Sequence, residues 1–154
     1  MTIAAGTEAP DFTLKDQDGN DVTLSSFRGN QNVVVVFYPF TFTGVCQGEL
    51  CSLRDDLSEF ETANAQVLAI SCDSRFAQQQ WAKEQGFTFP VLSDFWPHGA
   101  VSRAFGVFNE QLGAANRATF VIDKSGTVAD VFESPNLGTP REKAAYEAAL
   151  AKVS

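Results

Sequence analysis

The stretch VVVVFYPFTFTGVC, residues Val33–Cys46, decides how this chain folds. Its first six residues, Val33–Tyr38, are β-branched or aromatic with no polar alternation, the pattern of a central strand covered on both faces. Pro39 has no backbone N–H and so ends the pairing. A Phe/Thr/Gly loop follows, and from Cys46 to Phe60 the apolar spacing turns helical. The run therefore reads as one strand–loop–helix unit.

The rest of the chain supplies partners for that unit. Phe12–Leu14 and Val22–Leu24 flank Asp18-Gly19-Asn20, a hairpin signal. Gln66–Ser71 reads as a second buried strand, and a helix from about Arg75 stops at Gly86. Phe89–Leu92 is a short strand and His98–Phe105 a brief helix. Ala118–Asp123 and Thr127–Glu133 flank Lys124-Ser125-Gly126 and read as an antiparallel pair. Pro140 opens a last helix with Tyr146, Leu150 and Val153 along one face. Strands alternating with helices, then a hairpin and a terminal helix, predict an α/β fold of the thioredoxin kind. No linker, repeat or low-complexity tract divides it, so residues 1–154 are expected to form one domain.

Composition narrows the function. A formal net charge of -8 disfavours a phosphate-backbone partner, so no nucleic acid is expected. The longest apolar run, Val33–Phe40, is too short to span a bilayer, and no membrane association is expected. The opening MTIAAGTEAPDF lacks a basic segment and an apolar core, so no export signal is read there. With only three cysteines, a cytoplasmic protein with reducible thiols is the expectation.

Two of those cysteines, Cys46 and Cys51, lie five residues apart. On a helical wheel Leu50, Leu53, Leu57 and Phe60 form one apolar stripe, with Cys46 on its N-terminal extension. Cys51 falls among Arg54, Asp55, Ser58 and Glu59. A thiolate in a first helical turn is stabilised by unpaired N–H groups and the positive end of the dipole, which makes such a thiol nucleophilic. Thr43 offers a hydroxyl that both donates and accepts, and Pro39 an apolar wall. A packing cysteine at the start of a helix fits these residues equally well.

The spacing Pro39-x-x-x-Thr43-x-x-Cys46 resembles the P-x-x-x-T-x-x-C motif of the peroxiredoxins. The likeness continues through GTEAPDFTL (6–14), FPVLSD (89–94) and NRATFVID (116–123), while SDFWPHGAVSRAFGVFNE (93–110) is most similar to the one-cysteine alkyl hydroperoxide reductase E subgroup. This resemblance implies a thioredoxin-like fold with an added N-terminal β-hairpin. It also implies reduction of hydrogen peroxide and organic hydroperoxides, with no metal or other cofactor. Carried over by motif, Cys46 is the peroxidatic cysteine, Thr43 and Pro39 its pocket partners, and Arg117 the arginine that completes the site. An arginine suits that place because its guanidinium fork can hold both thiolate and peroxide oxygens. Glu49 matches an acidic position that contacts the site arginine, although Glu is also favoured in any first helical turn.

Cys51 departs from the one-cysteine pattern and resembles the resolving cysteine of some bacterioferritin-comigratory peroxiredoxins. Five residues of intact helix span ~7.5 Å along the axis, so a Cys46–Cys51 disulfide requires the first turns to unwind. Gly48, a poor helix former, would ease that. The other route is an external thiol: a low-molecular-weight thiol with a glutaredoxin-like protein, or thioredoxin. Both remain open at this point. Cys72, in AISCDS, ends a strand at the edge where the site is expected and reads foremost as packing. His98 is the sole histidine, which leaves a zinc site without a local ligand set. Trp81 and Trp96 read as core or interface anchors. Phe40 and Phe42 lie in a loop that, by the same resemblance, borders a homodimer contact.

Overall fold

In the computed structural model, which describes residues 2–153, the valine run lies at the heart of a seven-stranded sheet. The strands are β1 (Thr13–Lys15), β2 (Asp21–Thr23), β3 (Asn32–Phe37), β4 (Ala65–Ser71), β5 (Val91–Ser93), β8 (Ala118–Ile122) and β9 (Val128–Glu133). They lie in the order β2-β1-β5-β4-β3-β8-β9. A separate two-residue pair, β6 (Phe108–Asn109) and β7 (Ala114–Ala115), was not expected, since strands so short carry no periodicity. The helices are α1 (Gly44–Asp55), α2 (Leu57–Thr62), α3 (Arg75–Gln85), α4 (Ala100–Ala104) and α5 (Lys143–Ala151).

The central strand explains its own sequence. β3 pairs in parallel with β4 and antiparallel with β8, and every residue in it is buried. Val34, Val36 and Tyr38 face one core with Leu50, Leu53, Phe60, Trp81 and Leu150. Val33, Val35 and Phe37 face the other, with Phe12, Val101, Phe105 and Phe120. At about 1.5–3 kcal/mol per fully buried side chain, this two-sided burial is of the size needed to offset the cost of ordering the strand.

The structure moves several expected boundaries, each for a physical reason. The helix expected from Cys46 to Phe60 is two helices joined at Asp56. Asp55 and Asp56 oppose the dipole at the end of α1, whereas Asp56 suits the start of α2. The last helix begins at Lys143 rather than Pro140, because Glu142 is extended (φ -79, ψ 140), and the Arg141 N–H before it donates to Glu49 Oε2 at 2.7 Å. Leu24 leaves β2 for a 3-10 turn, and β5 starts two residues later than Phe89. Gly86 ends α3 as foreseen, at φ 71. No helix among the described residues is long and apolar enough to cross a membrane.

Candidate active site

Cys46 owes its position to what happens at the end of β3. Pro39 is buried there, and the chain crosses Phe40, Thr41 and Phe42 before α1 begins. Phe42 adopts φ 66, a left-handed conformation that costs a non-glycine residue about 1–3 kcal/mol. Its ring lies 6.2 Å from that of buried Trp81, whose Nε1 donates to Gln47 Oε1 at 3.1 Å. Thr43 is the exposed N-cap residue, and its hydroxyl donates to Phe40 O at 2.6 Å. The first bond of the α1 ladder runs from Gln47 N–H to Thr43 O, so the amides of Gly44, Val45 and Cys46 precede the ladder. Cys46 therefore sits in the first turn, its side chain wholly buried.

A charge cluster is built around its sulfur. Arg117 Nη1 donates to Cys46 Sγ at 3.1 Å and to Glu49 Oε1 at 2.8 Å, while its Nε donates to Leu137 O at 2.8 Å. A second arginine, Arg141, holds the same carboxylate. Its Nη2 reaches Glu49 Oε1 at 2.9 Å and its Nε reaches Oε2 at 2.9 Å. Arg141 Nη1 donates to Phe37 O at 2.6 Å and Ala118 O at 2.9 Å, at the ends of two central strands. All three side chains are at least nine-tenths buried. Burial alone would push the Glu49 carboxyl up, but the hydrogen bonds and charge of Arg141, with the charge of Arg117, hold it below its ordinary value. Two guanidiniums against one carboxylate leave a surplus positive charge, and the group beside it is the Cys46 sulfur.

Sequence reasoning did not single out Arg141, which in TPREK looked like the entrance to a helix. A signal was available. Glu49 lies one turn after Cys46 on a helix whose inner face is apolar, and a carboxylate there needs a buried cation. A groove of about 370 Å³ between α1 and α5 leads to Glu49 and Arg141.

The other cysteines are elsewhere. All three thiols are free. α1 is continuous across Cys46 and Cys51, so the two point to different faces. Cys51 is not on a purely polar surface as expected. It is half-buried against the end of α3, where its thiol faces Gln85 Oε1 at 3.5 Å and Arg54 Nη1 caps Gln85 O at 2.5 Å. Cys72 is buried 3.8 Å from Ser102 Oγ, and burial, then the Asp94 charge, pushes its thiol up to about 11. His98 is exposed, with Nε2 2.6 Å from Gly113 O. Of the core and interface readings, Trp81 takes the core one, and Trp96, 81 % exposed, is left with the interface one. Phe40, Phe42, Phe76, Phe95 and Trp96 are all exposed, and they follow the carboxyl ends of β3, β4 and β5.

A buried cysteine under an arginine, in the first turn after a central strand of this sheet, defines a class, and known proteins agree. The model of the AhpC/TSA family matches residues 5–131. Alkyl hydroperoxide reductase E of Mycobacterium tuberculosis is 53% identical over 152 residues, 99% of each chain. A chloroplastic peroxiredoxin Q of Oryza sativa is 37% identical over 133 residues, 86% of this chain and 60% of that protein. The crystal structure of peroxidoxin BcpB from Mycobacterium tuberculosis superposes with a TM-score of 0.85 at 35% identity, covering 97% of this chain and 96% of that one. The chain belongs to the AhpC/TSA family and has the peroxiredoxin form of the thioredoxin fold.

Proposed function

We propose that this thiol-dependent peroxidase reduces hydrogen peroxide and organic hydroperoxides at Cys46. The observation that carries the reading is the 3.1 Å contact from Arg117 Nη1 to Cys46 Sγ, with Arg117 itself fixed by Glu49. The Cys46 thiolate attacks one peroxide oxygen, an S–O bond forms and the O–O bond breaks. Sulfur gives up two electrons, and the other oxygen leaves as water or an alcohol after taking a proton. Arg117 and the first-turn amides of α1 stabilise negative charge passing from sulfur to the departing oxygen. Thr43, exposed at the N-cap, has a hydroxyl that can turn from Phe40 O to a peroxide oxygen. Pro39 walls the site with a group that offers no competing donor.

A second thiol attacks the sulfenic acid on Cys46, forming a disulfide and releasing water, and a further external thiol reduces that disulfide and returns Cys46 to the thiol. Cys51 serves if α1 opens, with Gly48 as the weak point of the helix. An external thiol serves without opening it, whether a low-molecular-weight thiol backed by a glutaredoxin-like protein or thioredoxin. The exposed aromatics around the site support a homodimer that covers them, and the cytoplasm is the compartment that keeps all three thiols reduced.

Treatment of the reduced protein with one equivalent of peroxide, followed by intact mass and peptide mapping, tests the assignment. Cys46 should gain one oxygen or enter a disulfide, and Cys46→Ser should consume no peroxide. Retained turnover in Cys46→Ser would refute it. Cys51→Ser should leave the oxidation step intact and alter only recycling.

A further inference from the structure

The segment that delivers Thr43 and Cys46 leaves β3 after Phe37 and runs over six residues, Tyr38 to Thr43, to the start of α1 at Gly44. Phe42, next to the N-cap, is held at φ 66. Such a conformation persists only where neighbours impose it. Besides the contact of the Phe42 ring with Trp81, the hydrogen bonds from this loop past Pro39 to the body of the fold converge on Thr41. Its hydroxyl meets the buried Tyr38 hydroxyl at 2.9 Å, and its N–H donates to Asp73 Oδ2 at 2.8 Å.

Asp73 is in turn fixed from three elements. The Ser71 hydroxyl, at the end of β4, donates to the same Oδ2 at 2.7 Å. Gln78 of α3 donates from Nε2 to Ser71 Oγ at 2.9 Å and to Leu92 O at 2.8 Å. The Ser93 hydroxyl, from β5, donates to Asp73 O at 2.6 Å. Gln78 donates a hydrogen bond to Ser71, Ser71 donates to Asp73, and the Thr41 N–H donates to Asp73. The chain ends on one oxygen, which has to be an acceptor.

Resting on the peroxidase reading above, we infer that Asp73 is a positioning residue for the peroxide site. Its carboxylate holds Thr41 so that Phe42 stays left-handed and Thr43 meets the first turn of α1 at the observed angle. Released from Asp73, Phe42 relaxes toward the extended region, Thr43 is re-aimed, and the donors that meet the peroxide separate. Cys46 keeps its own partners, since Arg117 reaches it from just before β8, with its Nε held by Leu137 O, and not from this loop. Asp73 therefore acts on peroxide placement and leaves the nucleophile untouched.

Two rates at Cys46 separate these effects: oxidation by hydrogen peroxide, and alkylation by iodoacetamide, which needs the thiol but not the peroxide donors. In Asp73→Ala, oxidation should fall about tenfold or more while alkylation stays within about twofold of the unsubstituted protein. Asp73→Asn, whose amide oxygen can accept both bonds, should recover most of the oxidation rate. Equal losses in both rates, or wild-type oxidation in Asp73→Ala, would overturn the proposal. The Thr41 amide offers a readout that needs no variant to fold. It should be protected from hydrogen exchange in the reduced protein, and an unprotected amide would also overturn the proposal. If peroxide fails to oxidise Cys46 in the unsubstituted protein, the peroxidase reading fails instead, whatever the state of that amide.

Discussion

Glu49→Gln tests the charge cluster most directly. The Glu49 oxygens accept four hydrogen bonds: Oε1 from Arg117 Nη1 and Arg141 Nη2, Oε2 from the Arg141 N–H and Nε. A glutamine amide, turned either way, points its NH₂ at two of those donors. It also leaves two buried guanidiniums with no counter-charge between them. Breaking a buried pair in this manner costs about 3–5 kcal/mol. For a chain of 154 residues, at about 2–4 °C per kcal/mol, Tm should fall by about 6–20 °C. The pH dependence has a definite sign. Because Arg141 and Arg117 hold the folded-state carboxyl below its ordinary 4.5, its stabilisation is fully present above that value and is lost as pH falls through the folded-state value. The stability gap between the two proteins should therefore be widest near neutrality and narrow in acid. Urea unfolding followed by circular dichroism at a series of pH values measures it. A gap below about 1 kcal/mol at neutral pH, or one that does not narrow in acid, would refute the reasoning.

Other substitutions and labels address the remaining thiols. Gly48→Ala fits without a clash, since no heavy atom lies within 4 Å of the added Cβ. It should stabilise α1 by about 0.5–1 kcal/mol and slow any Cys46–Cys51 disulfide about two- to fivefold, with peroxide oxidation unchanged. Non-reducing mass spectrometry over time reads that rate, and an unaltered rate would remove helix opening from the disulfide step. Raising the Cys72 thiol from 9.0 to about 11 cuts its thiolate fraction about a hundredfold at mildly alkaline pH. Iodoacetamide should leave Cys72 unlabelled in the folded protein and label it in urea; labelling of the folded protein at the rate of a free thiol would contradict the structure.

What the sequence could reveal depended on how local each signal was. Val33–Tyr38 announced a central strand because burial on both faces removes polar alternation, and β3 is buried throughout. Pro39, Thr43 and Cys46 stand in one short segment, so their spacing could be matched. The break at Asp56 had a local signal, two acidic residues in a row against the end of a helix dipole, within an apolar spacing that runs on past it. The surroundings of Arg141 were hidden, because it spends its backbone N–H on Glu49, 92 positions earlier. Asp73 follows the same rule. Each acts through hydrogen bonds between segments that meet only after the sheet has formed, and no periodicity marks them.

The cluster also bears on how Cys46 is recycled. Glu49 lies between Cys46 and Cys51 in the same helix, and its carboxylate is the joint between Arg117 and Arg141. Unwinding α1 far enough to join the two cysteines must carry Glu49 with it. That breaks four charge-assisted hydrogen bonds between side chains that are at least nine-tenths buried. The same motion pulls Gln47 from Trp81, and Cys51 and Arg54 from Gln85. An intramolecular disulfide and an assembled arginine cluster therefore exclude one another, so a Cys46–Cys51 bond would dismantle the site that oxidised Cys46. Attack by an external thiol leaves the helix and the cluster in place, and the next peroxide meets the same site. Cys51 can resolve Cys46 only at the cost of rebuilding the site in every cycle.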